Sequence, residues 1–167
     1  MGRFLTLLTA VGLGSYACAG SPGAGPAATI GALTVSNPYV AEPVTPEVAA
    51  VYFSVTNTGE SADILIGLSA KFAARGALHG QVRDGNTMRM VPLVGIELGA
   101  GETVVLRAGD RHGMLEDLTR PPRRGDTVSV TLRFRDAGSV TVPFPVVGYE
   151  EIDARAAQAL RIAERRR

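Results

Sequence analysis

Two runs near the end of the chain, Thr127 to Phe134 and Ser139 to Val147, flank Asp136-Ala137-Gly138. In the first run Val128, Val130, Leu132 and Phe134 recur at every second position, so all four leave one face of an extended chain. Two such runs around an Asp-x-Gly turn read as a β-hairpin. A hairpin with one apolar face cannot stand alone in water and has to cover that face with further strands.

The rest of the chain supplies them. Leu33-Thr-Val-Ser-Asn37 reads as a short strand ended by Pro38, and Ala49 to Thr56 as a strong one closed by Asn57-Thr58-Gly59. Ala62–Leu68, Ala77–Val82, a stretch around Met88–Val91 and Thr103–Arg107 follow, each bounded by turn residues. Seven to nine short strands with no convincing internal helix predict an all-β fold, an antiparallel β-sandwich over residues 30–149. With 46% hydrophobic residues in 167, one such domain has enough apolar side chain for a core.

Both ends differ from this pattern. Residues 1–19 carry one early positive charge at Arg3, an apolar run from Phe4 to about Gly14 and small residues after it, the layout of a secretory signal peptide. Ser15-Tyr16-Ala17-Cys18 resembles a degenerate lipobox, whose cysteine would be lipidated, while Ala17-Cys18-Ala19 also fits a cleavage site that would discard it. The Gly-, Ala- and Pro-rich tract at 20–29 reads as a flexible tether, and lipidation accounts for a lone thiol in an exported chain. The favoured reading is a lipoprotein of the periplasm or cell envelope, anchored to the membrane through Cys18. Residues 150–167 have acidic residues first and arginines last, which suits the helix dipole, and predict a surface helix or a disordered basic tail. A formal charge of +1, with no basic stripe interleaved with aromatics, argues against nucleic acid as a partner.

Chemistry concentrates between His79 and Met114. Both histidines of the chain, His79 and His112, and every methionine except Met1 lie within these 36 residues. The order is His79, ten residues, Met90, twenty-one residues, His112, one residue, Met114, with Met88 as a further thioether. Two imidazoles and two thioethers make a soft, neutral donor set that suits Cu(I) and not Ca²⁺ or Mg²⁺. A blue-copper site needs a thiolate, and structural zinc needs cysteines or more histidines. On an extended segment His112 and Met114 share a face, and His79 can meet Met90 across a hairpin turning near Arg83-Asp84-Gly85-Asn86. Gly109 to Met114 reads as a loop at one end of the sandwich, and Gly80 and Gly113 beside the histidines permit close backbone approach. Taken singly, each of these methionines reads more readily as core filler, and each histidine as a surface or hydrogen-bonded residue; it is the set that points to metal.

At these residues the chain resembles the PCuAC-type periplasmic copper chaperones, whose H-x10-M-x21-H-x-M spacing is matched by His79, Met90, His112 and Met114. Met88-Arg89-Met90, Ala100-Gly101-Glu102-Thr103, His112-Gly113-Met114-Leu115 and Gly125-Asp126-Thr127 carry the likeness further, over about residues 30–147. The resemblance implies a cupredoxin-like sandwich binding Cu(I) through two His and two Met. It also implies delivery of copper to the CuA site of cytochrome c oxidase or a related assembly protein. Many members of that family have Met two residues after the first histidine, where this chain has Gln81. The expected function is therefore a Cu(I) chaperone and not an enzyme. The competing expectation is an exported sandwich that binds another protein, without metal and with its methionines in the core.

Overall fold

The structure, a computed structural model, describes residues 26–85 and 87–165. The expected signal peptide, Cys18 and the first part of the tether lie outside these residues. The described chain forms β1 (Pro26–Ile30), β2 (Leu33–Ala41), β3 (Val48–Asn57), β4 (Asp63–Ser69), β5 (Ala73–Asp84) and β6 (Thr87–Leu93). It continues as β7 (Ile96–Leu98), β8 (Thr103–Leu106), β9 (His112–Leu118), β10 (Thr127–Phe134), β11 (Ser139–Val147) and the helix α1 (Tyr149–Glu164).

The strands follow one path, β6-β5-β9-β3-β2-β11-β10-β4-β7, with β1 on β2 and β8 on β3. The path is an open sheet that doubles over at β11. Residues 139–145 of this strand pair with β10, whereas Val146 and Val147 run parallel to Val40 and Ala41 of β2. That parallel step departs from the expected all-antiparallel pairing, and it lets one strand serve both layers. Val35, Val51, Phe53 and Leu115 from one layer meet Leu65, Leu68, Val130, Leu132 and Phe144 from the other in a single buried core. Phe53 and Phe144 interlock edge to face across it, 5.8 Å between centroids. Each such buried side chain stabilises the fold by about 1.5–3 kcal/mol.

The hairpin expected from its alternation is present with the expected ends, and Val128, Val130, Leu132 and Phe134 are its buried residues. Its turn is tied by Phe134 N–H donating to Gly138 O, with Gly138 at φ 91°. The buried Asp63 carboxylate accepts from the N–H groups of Asp136 and Ala137 and from its neighbour Ile64. Burial by itself would raise the pKa of Asp63, but these three donors and Arg135 outweigh it and hold the group below the usual carboxylate value.

Three expectations are corrected, and one further strand, β7, is found. β1 begins at Pro26, inside the stretch read as a tether, because Ala28 to Ile30 pair with Leu33 to Val35 and pack on the core. β2 does not end at Pro38. A register shift between Ser36 and Tyr39, with Asn37 at φ 49°, bulges the strand around the residue that lacks an N–H. β7 is a three-residue strand too short to show a period. His112 to Leu118, expected to start as a loop, is a strand buried between β3 and β5.

Of the two readings of the C-terminal segment, the helix is found, and it is docked. Ile152, Ala159 and Ala163 are buried, the first beside Tyr39, Tyr52 and Val147, the other two on Val105. Asn37 Nδ2 donates to Arg155 O at 3.0 Å, and the Arg155 guanidinium lies 5.5 Å from the Tyr39 ring centre. The bulge that accommodates Pro38 therefore also presents the side chain that anchors α1. Glu150 and Glu151 in the first turn and Arg161 in the last follow the expected dipole order.

Candidate metal centre

Strand register decides which of the expected donors meet. His79 on β5 is the direct partner of His112 on β9, and Met114 is the partner of Ala77 on one side and Ala50 on the other. Gln81 is the partner of Met90, and Arg83 of Met88, across the β5–β6 hairpin. Directly paired residues point to the same side of a sheet, and so do residues two apart along a strand. His79, His112, Met114, Met90 and Met88 therefore share one face, the outer face of the first layer. The hairpin turns at Gly85 (φ 60°), as the Asp-Gly signal predicts, but His79 lies diagonal to Met90 and not opposite it. Diagonal neighbours are about 7–8 Å apart at Cα, within reach of a long side chain.

His79, His112 and Met114 form the compact part of this arrangement. The two imidazole rings stand edge to face with centroids 5.8 Å apart. His112 is 4% exposed, His79 and Met114 are half-buried, and Met90 and Met88 are 50% and 51% exposed. A gradient thus runs from a buried imidazole to open thioethers on the hairpin arm. Met88, one step nearer the tip, is the most remote from the histidine pair.

The nitrogens are prepared unequally. His112 Nδ1 lies 3.0 Å from the carbonyl oxygen of Asp110, which can only accept, so Nδ1 is the donor nitrogen and Nε2 is the one left to face a ligand. Asp110 is itself fixed in the β8–β9 connection: its carboxylate accepts from Arg111 N–H and pairs with Arg107 at 3.3 Å, and Arg107 N–H donates to Arg111 O. His79 Nδ1 is buried with no hydrogen-bond partner. An orphaned ring nitrogen costs about 1–3 kcal/mol unless something else binds it. The donor set present, two imidazoles and thioethers on one face, fits a soft monovalent copper ion. Among the described residues no group of three or more His, Cys, Asp or Glu comes together, so a harder ion finds no comparable cage.

Sequence reasoning missed the wall behind His112. Tyr52, 6.3 Å away between ring centres, stacks in turn on Tyr39 at 5.1 Å, and both are covered by α1. Burial, and then the neighbouring phenol (Tyr52 for Tyr39, Tyr149 for Tyr52), pushes both phenol pKa values up, so both rings stay neutral. The signal was available: Tyr52 has the same strand parity as Ala50, which opposes Met114. Gly113 also has a different role from the one expected. A Cβ there would come within 2.9 Å of Leu68 and 3.2 Å of Val51, so this glycine makes room for the opposite layer, not for a ligand.

The fold is that of PCuAC domains. It is similar to the copper-bound PCuAC domain from PmoF2, with a TM-score of 0.63 and 22% identity over 72% of this chain and 97% of that one. It is also similar to the Cu(I) form of DR1885 from Deinococcus radiodurans, with a TM-score of 0.54 and 27% identity over 77% of this chain and 83% of that one. Residues 33–146 match the family described as "Putative lipoprotein LpqE-like", and the chain belongs to that family. A relative in Leifsonia xyli subsp. xyli, "Putative lipoprotein Lxx21020", is 35% identical over 98 residues, 58% of this chain. The match spans 59% of that relative's length.

Proposed function

We propose that this protein is an extracytoplasmic Cu(I) carrier, tethered to the membrane through Cys18, that holds copper on His79, His112, Met114 and Met90. The observation that carries this reading is the pair His79 and His112, one with an orphaned buried nitrogen and the other with its tautomer fixed by Asp110. His79, His112 and Met114 form the covered part of the site and Met90 its open end. Neutral, weakly basic thioethers on an exposed arm suit a cargo that has to leave by ligand exchange with an acceptor. The acceptor that the PCuAC resemblance implies is the CuA site of cytochrome c oxidase or a protein that assembles it. The lipoprotein names of the family and of the Leifsonia relative support the anchor.

Two competing readings lose support. A metal-free interaction module with core methionines does not fit Met88 and Met90, which are half exposed, nor Met114, which is outside the apolar core. For a copper enzyme, the carboxylates that flank His112 and Met114 in the chain are Asp110 and Glu116, and both are in ion pairs, with Arg107 and Arg75. The test is anaerobic competition for Cu(I) against a chromogenic chelator. Wild type should take one equivalent and His79→Ala/His112→Ala none. Failure of wild type to compete would reject the carrier.

A further inference from the structure

The opposite outer face of the sandwich carries a second feature that the metal reading leaves unused. Along β10 the inward side chains Val130 and Leu132 alternate with outward Ser129 and Thr131, and the outward set continues across the sheet. Thr131 is paired with Ser69 of β4 on one side and Thr141 of β11 on the other, giving a row of three hydroxyl side chains across three strands. Thr131 and Thr141 are hydrogen-bonded at 2.8 Å. This row forms part of the wall of an open cleft of about 840 Å³.

Two loops complete the wall. The β4–β5 connection brings Lys71 and Phe72, and the β9–β10 connection brings Thr119 and Arg120. The loops are stapled to each other at one point, since Thr119 N–H and Thr119 Oγ1 both donate to Phe72 O, at 2.8 and 3.2 Å. Lys71 is the single lysine of the chain. Neither it nor Arg120 has an ion-pair partner among the described residues, and no acidic side chain lines the cleft. The cleft thus offers two uncompensated cations on a braced loop pair, set against a bank of hydroxyls that can each donate and accept.

We propose that this cleft binds a phosphorylated saccharide. A phosphate presents three acceptor oxygens and nearly two negative charges, which matches an ammonium and a guanidinium on the same cleft wall better than a single carboxylate does. Serine and threonine hydroxyls can both donate to and accept from sugar hydroxyls, and half-buried Phe72 offers an apolar surface for the C–H face of a sugar ring. The volume exceeds what an isolated ion would fill. Because the cleft lies on the second layer and the histidine pair on the first, both can be occupied together, and the proposal stands whether or not copper binds.

The test is chemical-shift mapping of the full mature chain with glucose 6-phosphate, glucose and inorganic phosphate as separate probes. Glucose 6-phosphate should shift the amides of residues 69–72, 119–120 and 127–131, and should bind at least tenfold more tightly than either glucose or phosphate. Lys71→Ala/Arg120→Ala should lose that binding at least tenfold with an unchanged unfolding midpoint. Thr131→Val should weaken glucose 6-phosphate and leave phosphate unaffected. Equal binding of phosphate and glucose 6-phosphate would overturn the saccharide assignment and leave a bare anion site. Absence of shifts at the cleft, or shifts that survive the double variant, would overturn the site.

Discussion

His79 and His112 are directly paired across β5 and β9, and their rings meet edge to face 5.8 Å apart on the outer face of the sheet. Thirty-three positions separate them in sequence, and a sheet brings them together only because β9 inserts between β3 and β5. The same pairing carries Met114 and Met90 to that face from either side.

Position relative to this pair ranks the donors. His112→Ala removes the buried, tautomer-fixed imidazole and is expected to lower Cu(I) affinity by roughly a hundredfold or more, since even residues that merely orient a ligand cost about 10–100-fold. Met88→Leu, at the far end of the hairpin arm, should change affinity by no more than about threefold, well below that range. Chelator competition on both variants checks the order, and equal effects would remove the ligand assignment.

Gln81 is the cross-strand partner of Met90 on the same face, so Gln81→Met would place a further thioether beside it, next to the histidine pair. Cu(I) binding should tighten, or a second equivalent should bind, while the softness of the set leaves Mg²⁺ binding unchanged. Titration of the variant against wild type reads this directly.

Two local relationships were legible in the spacing because strand periodicity is strict. His112-x-Met114 must share a face in any strand, and Asp84-Gly85 marks a hairpin whatever surrounds it. What could not be read was long-range register. No local signal pairs His79 with His112 or places Met90 on a diagonal, because β5, β6 and β9 are aligned by core residues such as Leu78 and Leu115 packing against the other layer. The docking of α1 was hidden for a related reason. Its buried stripe is mostly alanine, and its anchor is the side chain of Asn37 in a bulge 118 residues away.

Asp63 clamps the β10–β11 turn with a carboxylate held below its ordinary pKa. A depressed folded-state pKa means stabilisation that is complete above the unfolded value of about 3.9 and is lost as pH falls through the folded one. Asp63→Asn should cost about 1–3 kcal/mol at neutral pH, because an amide turns N–H donors toward backbone donors. The gap between variant and wild type should narrow below about pH 4. Urea unfolding at pH 7 and pH 3 measures both.

The helix is a structural part of the domain, and its two faces should differ. Ile152→Ala empties the space beside Tyr39 and Tyr52 and is expected to cost about 2–4 kcal/mol. Leu160→Ala, at a residue 38% exposed, should cost less than about 0.5 kcal/mol. Urea unfolding of the two variants tests the docking, and equal costs would argue against it.

X-ray absorption at the copper edge of the anaerobically loaded protein tests the central claim most directly. A monovalent edge with a mixed shell of two nitrogen and two sulfur neighbours is expected, with the nitrogen component lost in His79→Ala/His112→Ala. A shell of sulfur alone, or of nitrogen and oxygen alone, would contradict the assignment of copper to the paired histidines and their flanking methionines.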